Sequence, residues 1–184
     1  MTTLPRLSEL AGDYVLDTAG TRIGFSAKHA IGTKVRGQFD EFAGSARLDG
    51  DKSRLSVEVL IQAASVQTGN RQRDEHLRRN FLNVDTYPVI TFTPITADLV
   101  GEATFAVTGD LTIRGVTKPV PVNVELTHAR HGPPENLRVH LAGSATINRG
   151  VWGVNWNAMT VALVNKHVPI EFDAIAIRTP RPAP

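Results

Sequence analysis

Apolar and polar residues alternate with a period of two along most of this chain, as in strands that bury one face and wet the other. Leu55, Val57, Val59, Ile61 and Ala63 alternate with Ser56, Glu58, Leu60 and Gln62. Phe105, Val107, Gly109, Leu111 and Ile113 do the same against Ala106, Thr108, Asp110 and Thr112, and Val120, Val122, Val124 and Leu126 against Pro121, Asn123 and Glu125. Another long run keeps Leu137, Val139, Leu141, Gly143, Ala145 and Ile147 on one parity, and shorter runs cover 13–17, 21–29, 35–48, 89–93 and 168–177. Turn sequences such as Leu48-Asp49-Gly50-Asp51 and Arg114-Gly115-Val116-Thr117 separate the runs. Connections this short join antiparallel neighbours, because a parallel pair needs a crossover of about a dozen residues. The pattern predicts an all-β, antiparallel fold.

Departures from the pattern are equally informative. Within 35–48 the apolar parity switches from odd, at Val35 and Phe39, to even, at Phe42, Ala46 and Leu48, which predicts a bulge or bend near Asp40–Phe42. Pro119 and Pro121 lack backbone donors, so their strand should lie at an edge, a bulge or a mouth. Residues 70–79 show no Pro and no alternation but many helix formers. They predict a short helix with Asn70 as its N-cap, and with Leu77 and Phe81, four apart, facing the barrel together. The Pro-rich stretch 179–184 predicts a disordered tail, and residues 1–11 an extension preceding a single domain over 12–178.

Several strands with one apolar face each need a cover for that face, and closing the sheet into a barrel supplies one while removing the edges. About eight strands leave an interior that side chains fill or that holds one small ligand. Small residues on the apolar faces, Ala27, Gly109, Gly143, Ala145 and Ala174, would leave space there or, equally, relieve crowding at bends. The run from Thr104 to Arg114 would extend roughly 35 Å, comparable with the ~30 Å hydrocarbon core of a bilayer. Such an interior suits an extended chain better than a compact polar metabolite. Burying about ten methylenes would contribute roughly 8 kcal/mol before ordering costs.

Composition narrows the chemistry. Of 184 residues, 41% are hydrophobic and 21% charged, enough for a sizeable core and against disorder. Cysteine is absent, which excludes disulfides, thiol catalysis and Cys-ligated metals. A net charge of +2 makes no demand for a nucleic-acid partner, and no aromatic platform is interleaved with the basic residues. Pro5, Arg6, Ser8 and Glu9 interrupt the first residues, so no secretory h-region forms there. No run approaches the ~20 apolar residues of a membrane span, and a soluble, cytoplasmic chain is expected. There is no HExxH, GxSxG, phosphate-binding loop or dinucleotide fingerprint, and His128 and His131 lack a clear third ligand. No cofactor or metal is expected.

A set of local sequences then carries a family resemblance: Phe25-Ser26-Ala27-Lys28-His29, Val35-Arg36-Gly37-Gln38-Phe39, Arg73-Asp74-Glu75-His76-Leu77, Asn80-Phe81-Leu82-Asn83-Val84 and Tyr87-Pro88-Val89-Ile90-Thr91-Phe92. They continue through the specific stretch Gly109–Val120 to Ile147-Asn148-Arg149-Gly150-Val151-Trp152-Gly153-Val154. In this order they resemble the YceI-like family, bacterial polyisoprenoid-binding proteins with an elongated, lipocalin-like barrel. The resemblance spans about Gly12 to Ile177. It implies an eight-stranded antiparallel barrel, a buried isoprenoid or related lipid, and no settled enzymatic activity.

Candidate residues of a lipid channel are Phe25, His29, Phe39, Val59, His76, Phe81, Phe92, Val107, Leu111, Trp152 and Trp156. His29 shares parity with Ile23, Phe25 and Ala27, and could hydrogen-bond a headgroup or quinone oxygen; a core histidine satisfied by backbone is the plainer reading. His76, beside Asp74 and Glu75, either caps a mouth or lies on the surface. Phe81, Phe92, Trp152 and Trp156 either line the channel or pack the core. Arg71, Arg73, Arg78 and Arg79 could meet a diphosphate headgroup or an anionic membrane, although a solvated helix face also accounts for them. The expected function is non-enzymatic binding, sequestration or transport of a long-chain lipid such as a polyisoprenoid or isoprenoid quinone. Two alternatives stay open: an enzyme acting on such a lipid through an inward His-containing cluster, and a structural or stress-related barrel with a packed interior. Transient contact with a membrane surface and a homodimer are left open as well.

Overall fold

The computed structural model describes residues 6–50, 54–132, 136–155 and 157–180, and in it the alternating runs become eleven strands of one sheet. In chain order these are β1 (Gly12–Leu16), β2 (Arg22–Lys28), β3 (Lys34–Phe39), β4 (Phe42–Asp49), β5 (Arg54–Gln62), β6 (Val66–Gln67), β7 (Val89–Leu99), β8 (Thr104–Ile113), β9 (Val116–Gly132), β10 (Asn136–Asn148) and β11 (His167–Arg178). Eight of them, β1, β4, β5, β7, β8, β9, β10 and β11, pair antiparallel in that order and close into a barrel. The ring shuts where Tyr14, Val15 and Leu16 pair with Arg178, Ile177 and Ala176. The end holding Gly12, Asp49 and Arg178 is termed upper, the opposite end lower.

β2, β3 and β6 lie outside this ring, on the lower half of β11. β1 runs on into β2, and β3 into β4, so two long bent strands lie side by side. They pair only towards their ends, from Gly12↔Leu48 to Val15↔Ser45 above and from Ile23↔Phe39 to Lys28↔Lys34 below. Between these ladders, 16–22 and 40–44 are not paired with each other, and the wall has a seam. The parity switch expected near Asp40–Phe42 is the bend at which β3 ends and β4 begins. On its other side the excursion 17–20 stays fastened to β11: the Asp17 N–H donates to the Ile175 carbonyl at 2.7 Å, and the Ile175 N–H to Thr21 Oγ1 at 3.0 Å. Pro119 and Pro121 sit on the part of β9 that pairs with β8 alone, since β10 joins only from Asn123 onward, which fits their missing donors.

The expected helix is present and longer than the pattern implied. Asn70 caps α1 (Arg71–His76), its side chain accepting from the Arg73 N–H at 3.0 Å, and the chain continues as a π-helical turn over Leu77–Leu82. That wider turn corrects the expected pairing of Leu77 with Phe81. Leu82, five positions on, is buried against the lower core with Leu77, while Phe81 turns its ring onto His76. A second short helix, α2 (Ala158–Leu163), precedes β11.

Apolar side chains pack at both ends. The lower core gathers Ala63, Val66, Leu82, Ile90, Ile113, Val120, Ile147, Trp152 and Val168. The upper core gathers Leu10, Tyr14, Leu48, Leu126, Leu137, Val139 and Ala176. Leu10, in the segment expected to be an extension before the domain, is only 1% exposed: the 3-10 turn Leu7–Leu10 plugs the upper end.

Candidate functional site

Between the two cores the barrel encloses a cavity of about 170 Å³. Its wall is built from the inward parity of successive strands: Val57, Val59 and Ile61 of β5, Val107 and Leu111 of β8, Val120, Val122 and Val124 of β9, and Ile170, Phe172, Ala174 and Ala176 of β11. At the seam the boundary passes to Leu16, Thr21, Ile23, Gly44 and Ser45. Gly44 sits closely packed there. A Cβ at this position would stand 3.1 Å from Leu16 Cδ2 and 3.0 Å from the Glu58 carbonyl oxygen, so any larger residue would press on the Leu16 side chain beside it. Glu58 is the ionisable residue at this boundary, and it sits on the exposed parity of β5. Among the described residues no group of His, Asp and Glu side chains is arranged to hold a metal ion.

Small residues play two roles in this wall. Ala145 and Ala174 border the cavity. A methyl added at Gly109 would collide with the Phe92 ring, and one at Gly143 with the Phe172 ring, so these glycines make room for aromatic rings rather than leaving space empty. Ala27 lies on the β2–β3 hairpin, outside the ring.

Of the residues singled out from the pattern, Val59, Phe92, Val107 and Leu111 are brought together at the cavity wall. Phe25 and Phe39 pack on each other with ring centroids 5.7 Å apart, against the lower core. His29 lies near the tip of the β2–β3 hairpin, its backbone bridged to Val164. By that point the chain has passed the end of β2, and the hairpin has left the barrel wall. His76 and Phe81 meet edge to face at 5.5 Å in the lower plug, and His76 Nδ1 lies 2.7 Å from the Asn80 amide. Trp152 is buried in the lower core and donates from its indole N–H to the Leu111 carbonyl at 3.0 Å. Trp156 lies outside the described residues. The wall also includes Ile61, Val122, Ile170 and Phe172, which share the same parity signal but were not among the candidates.

Two of the clustered arginines, Arg73 and Arg78, bond the backbone of the lower plug. Arg73 donates to Thr68 Oγ1 at 2.7 Å and to the Thr68 carbonyl, and the buried Asp74 accepts from the Thr68 N–H and hydroxyl at 2.8 and 2.6 Å. Arg78 reaches the carbonyls of Ala64 and Val66, and Arg79 pairs with Glu75. Two further arginines were not foreseen. Arg114, at positive φ in a two-residue turn, donates to the carbonyls of Phe81 and Gly153. Arg149, 5% exposed, donates to the carbonyls of Val154, Val164 and Asn165 and to Asn155 Oδ1, and burial lowers its pKa from the ordinary arginine value.

Cavity, seam and plugs define a class: a closed antiparallel barrel with a small, apolar, partly open interior. A family model for the YceI-like domain matches residues 14–176, and the chain belongs to that family. A UPF0312 protein of Photorhabdus laumondii is 37% identical over 144 residues, covering 76% of this chain and 74% of its own length. One of Shewanella baltica is 28% identical over 179 residues, covering 95% and 92%. Among solved structures, Burkholderia cenocepacia BcnA superposes with a TM-score of 0.77 at 23% identity over 87% of this chain and 98% of its own. A polyisoprenoid binding domain from Saccharophagus degradans gives 0.69 at 21% over 91% and 98%. At these identities the structural likenesses establish the fold.

Proposed function

We propose that this protein binds the apolar chain of a lipid, of the polyisoprenoid or isoprenoid-quinone kind, inside the barrel, and holds or carries it without changing it chemically. One observation carries the reading: a space of about 170 Å³, walled by aliphatic and phenylalanine side chains, between two packed cores. Apart from Thr21, Ser45 and Glu58 at its boundary, such a wall offers a polar metabolite no side-chain hydrogen bonds, whereas each buried methylene contributes ~0.8 kcal/mol. The interior is neither plugged solid nor an open tube. It is comparable with an apolar cavity of ~150 Å³ that stays dry and takes benzene, so as it stands it accepts about one five-carbon isoprene unit. A longer chain leaves along the seam at Leu16 and Gly44 or displaces side chains of the flanking cores. Family membership, and the polyisoprenoid binding of the Saccharophagus domain, support an isoprenoid as the occupant.

Native mass spectrometry of the purified protein, and thermal melts with farnesol and geranylgeraniol, test this reading. The expected results are a retained lipid and a Tm that rises with either alcohol. Ala174→Phe, which fills the cavity from β11, should keep the fold and lose that rise. Protein free of lipid, with a Tm that neither alcohol moves, would overturn the proposal.

A further inference from the structure

The lower end carries a feature that lipid binding in the cavity does not use. The turn of the β2–β3 hairpin, His29 to Thr33, lies beside the C-terminal end of α2: the Ala30 N–H donates to the Leu163 carbonyl and the Asn165 N–H to the Lys28 carbonyl, each at 2.8 Å. This tip presents large apolar side chains to solvent, with Ile31 85% exposed, Met159 70% and Leu163 43%. Met159 and Leu163 are four apart and share a helix face. Exposed lysines surround them: Lys28 and Lys34, paired across the hairpin, and Lys166. No carboxylate occurs in sequence from Thr18 to Phe39 or from Asn136 to Ile170, the stretches that contain the hairpin and α2 of this tip; the acidic residues Asp74 and Glu75 of the lower end lie on α1.

Each feature costs stability in water. Isoleucine in an exposed turn gains nothing from burial, and like charges directly opposite on a hairpin repel. An anionic, partly apolar surface would remove both costs together. We infer that the tip formed by Ile31, Met159, Leu163, Lys28, Lys34 and Lys166 docks this protein on an anionic phospholipid membrane, with the apolar side chains entering the headgroup region and the lysines meeting lipid phosphates. Arg149 holds the arm that carries α2 in place for such docking, bonding Val154 and Asn155 before the helix and Val164 and Asn165 after it. The same hairpin borders the cavity seam at Ile23, six residues or about 20 Å from His29.

Sedimentation with phosphatidylcholine vesicles, with and without phosphatidylglycerol, tests the docking on the full chain. The wild type should bind the anionic vesicles, bind pure phosphatidylcholine far less, and release as salt is raised. Ile31→Ser with Met159→Ser should weaken binding at least about tenfold, and Lys28→Glu or Lys166→Glu at least about fivefold each. All of these variants should keep the farnesol-induced rise in Tm, which reads the cavity and separates failure of docking from failure of lipid binding. Wild-type protein that ignores anionic vesicles, or variants that bind them as well as the wild type, would overturn the inference.

Discussion

At the upper end the closing segment is short and greasy. Leu10 enters the barrel, the Tyr14 hydroxyl donates to its carbonyl, and Arg178 reaches the carbonyl of Glu9. At the lower end a helix, a π-helical turn and the 149–155 loop cover a wider opening, and Arg73, Arg78, Arg114 and Arg149 donate to at least one carbonyl each. The difference follows from the backbone. A one-turn plug next to a strand leaves few carbonyls away from the ladder. A long irregular plug leaves many, and each buried one needs a donor. Guanidinium groups supply several donors from a single side chain, which suits this end. Both closures bury an apolar core, but the lower one adds a set of guanidinium donors that its long irregular plug needs.

The largest effect is therefore expected at Arg149. Arg149→Met keeps much of the apolar stem but leaves several partly or fully buried oxygens without their donor, and should cost about 4 kcal/mol in urea unfolding. Leu10→Ala, at the other end, removes burial alone and should cost about 3 kcal/mol. If Leu10→Ala proves much the more damaging, burial dominates at both ends and the contrast fails.

Tyr14 joins burial and hydrogen bonding in one residue at the upper end. Tyr14→Phe should cost about 1 kcal/mol at neutral pH, the usual worth of one neutral hydrogen bond. Burial raises the Tyr14 pKa, with Arg178 pulling the other way. The folded state thus holds this proton more firmly than the unfolded state. The corresponding stability is present below about pH 10 and is lost as pH climbs through the raised value. Urea midpoints measured through that range should fall less steeply for Tyr14→Phe than for the wild type.

Much of this was legible from alternation, because parity tells which face of a strand a residue occupies. It placed Val59, Phe92, Val107 and Leu111 on the inward face, and located the β3–β4 bend through the switch between Phe39 and Phe42. Parity says nothing about height along the barrel. Phe25 and Phe39 pack into the lower core from β2 and β3, outside the ring, and Trp152 from the turn 149–152. The seam was illegible for a related reason. It arises when β1–β2 exchanges one partner for another while held to β11 by Asp17 and Thr21, a non-local choice that no window of sequence contains. Phe81 failed as a barrel-facing residue because a π-helical turn changes the spacing from four to five, and composition alone does not reveal that turn. Arg114 and Arg149 carry no periodic signal; the need for their donors appears only once the lower plug has left carbonyls off the ladder.

The smallest expected effect tests whether the upper half of the wall has an electrostatic cost of its own. His128 and His140 pair across β9 and β10 with ring centroids 6.0 Å apart, and Arg130 pairs with Arg138 one step along on the same face. Burial lowers the His140 pKa, and Arg130, His128 and Arg138 lower it further by repelling a second positive charge. Protons then bind the unfolded chain more readily than the folded one over the interval between the lowered value and the ordinary histidine range. Stability is present above that range and is lost as pH falls through it. The side chain is accessible enough for solvent to screen most of this, so the slope should be shallow. His140→Gln keeps a polar side chain of similar reach and removes the titration. Its urea midpoint between about pH 7.5 and 5 should decline less than that of the wild type. Equal slopes for the two proteins would mean that the outer charges of β9 and β10 are fully screened, and that acid sensitivity must be sought elsewhere in the wall.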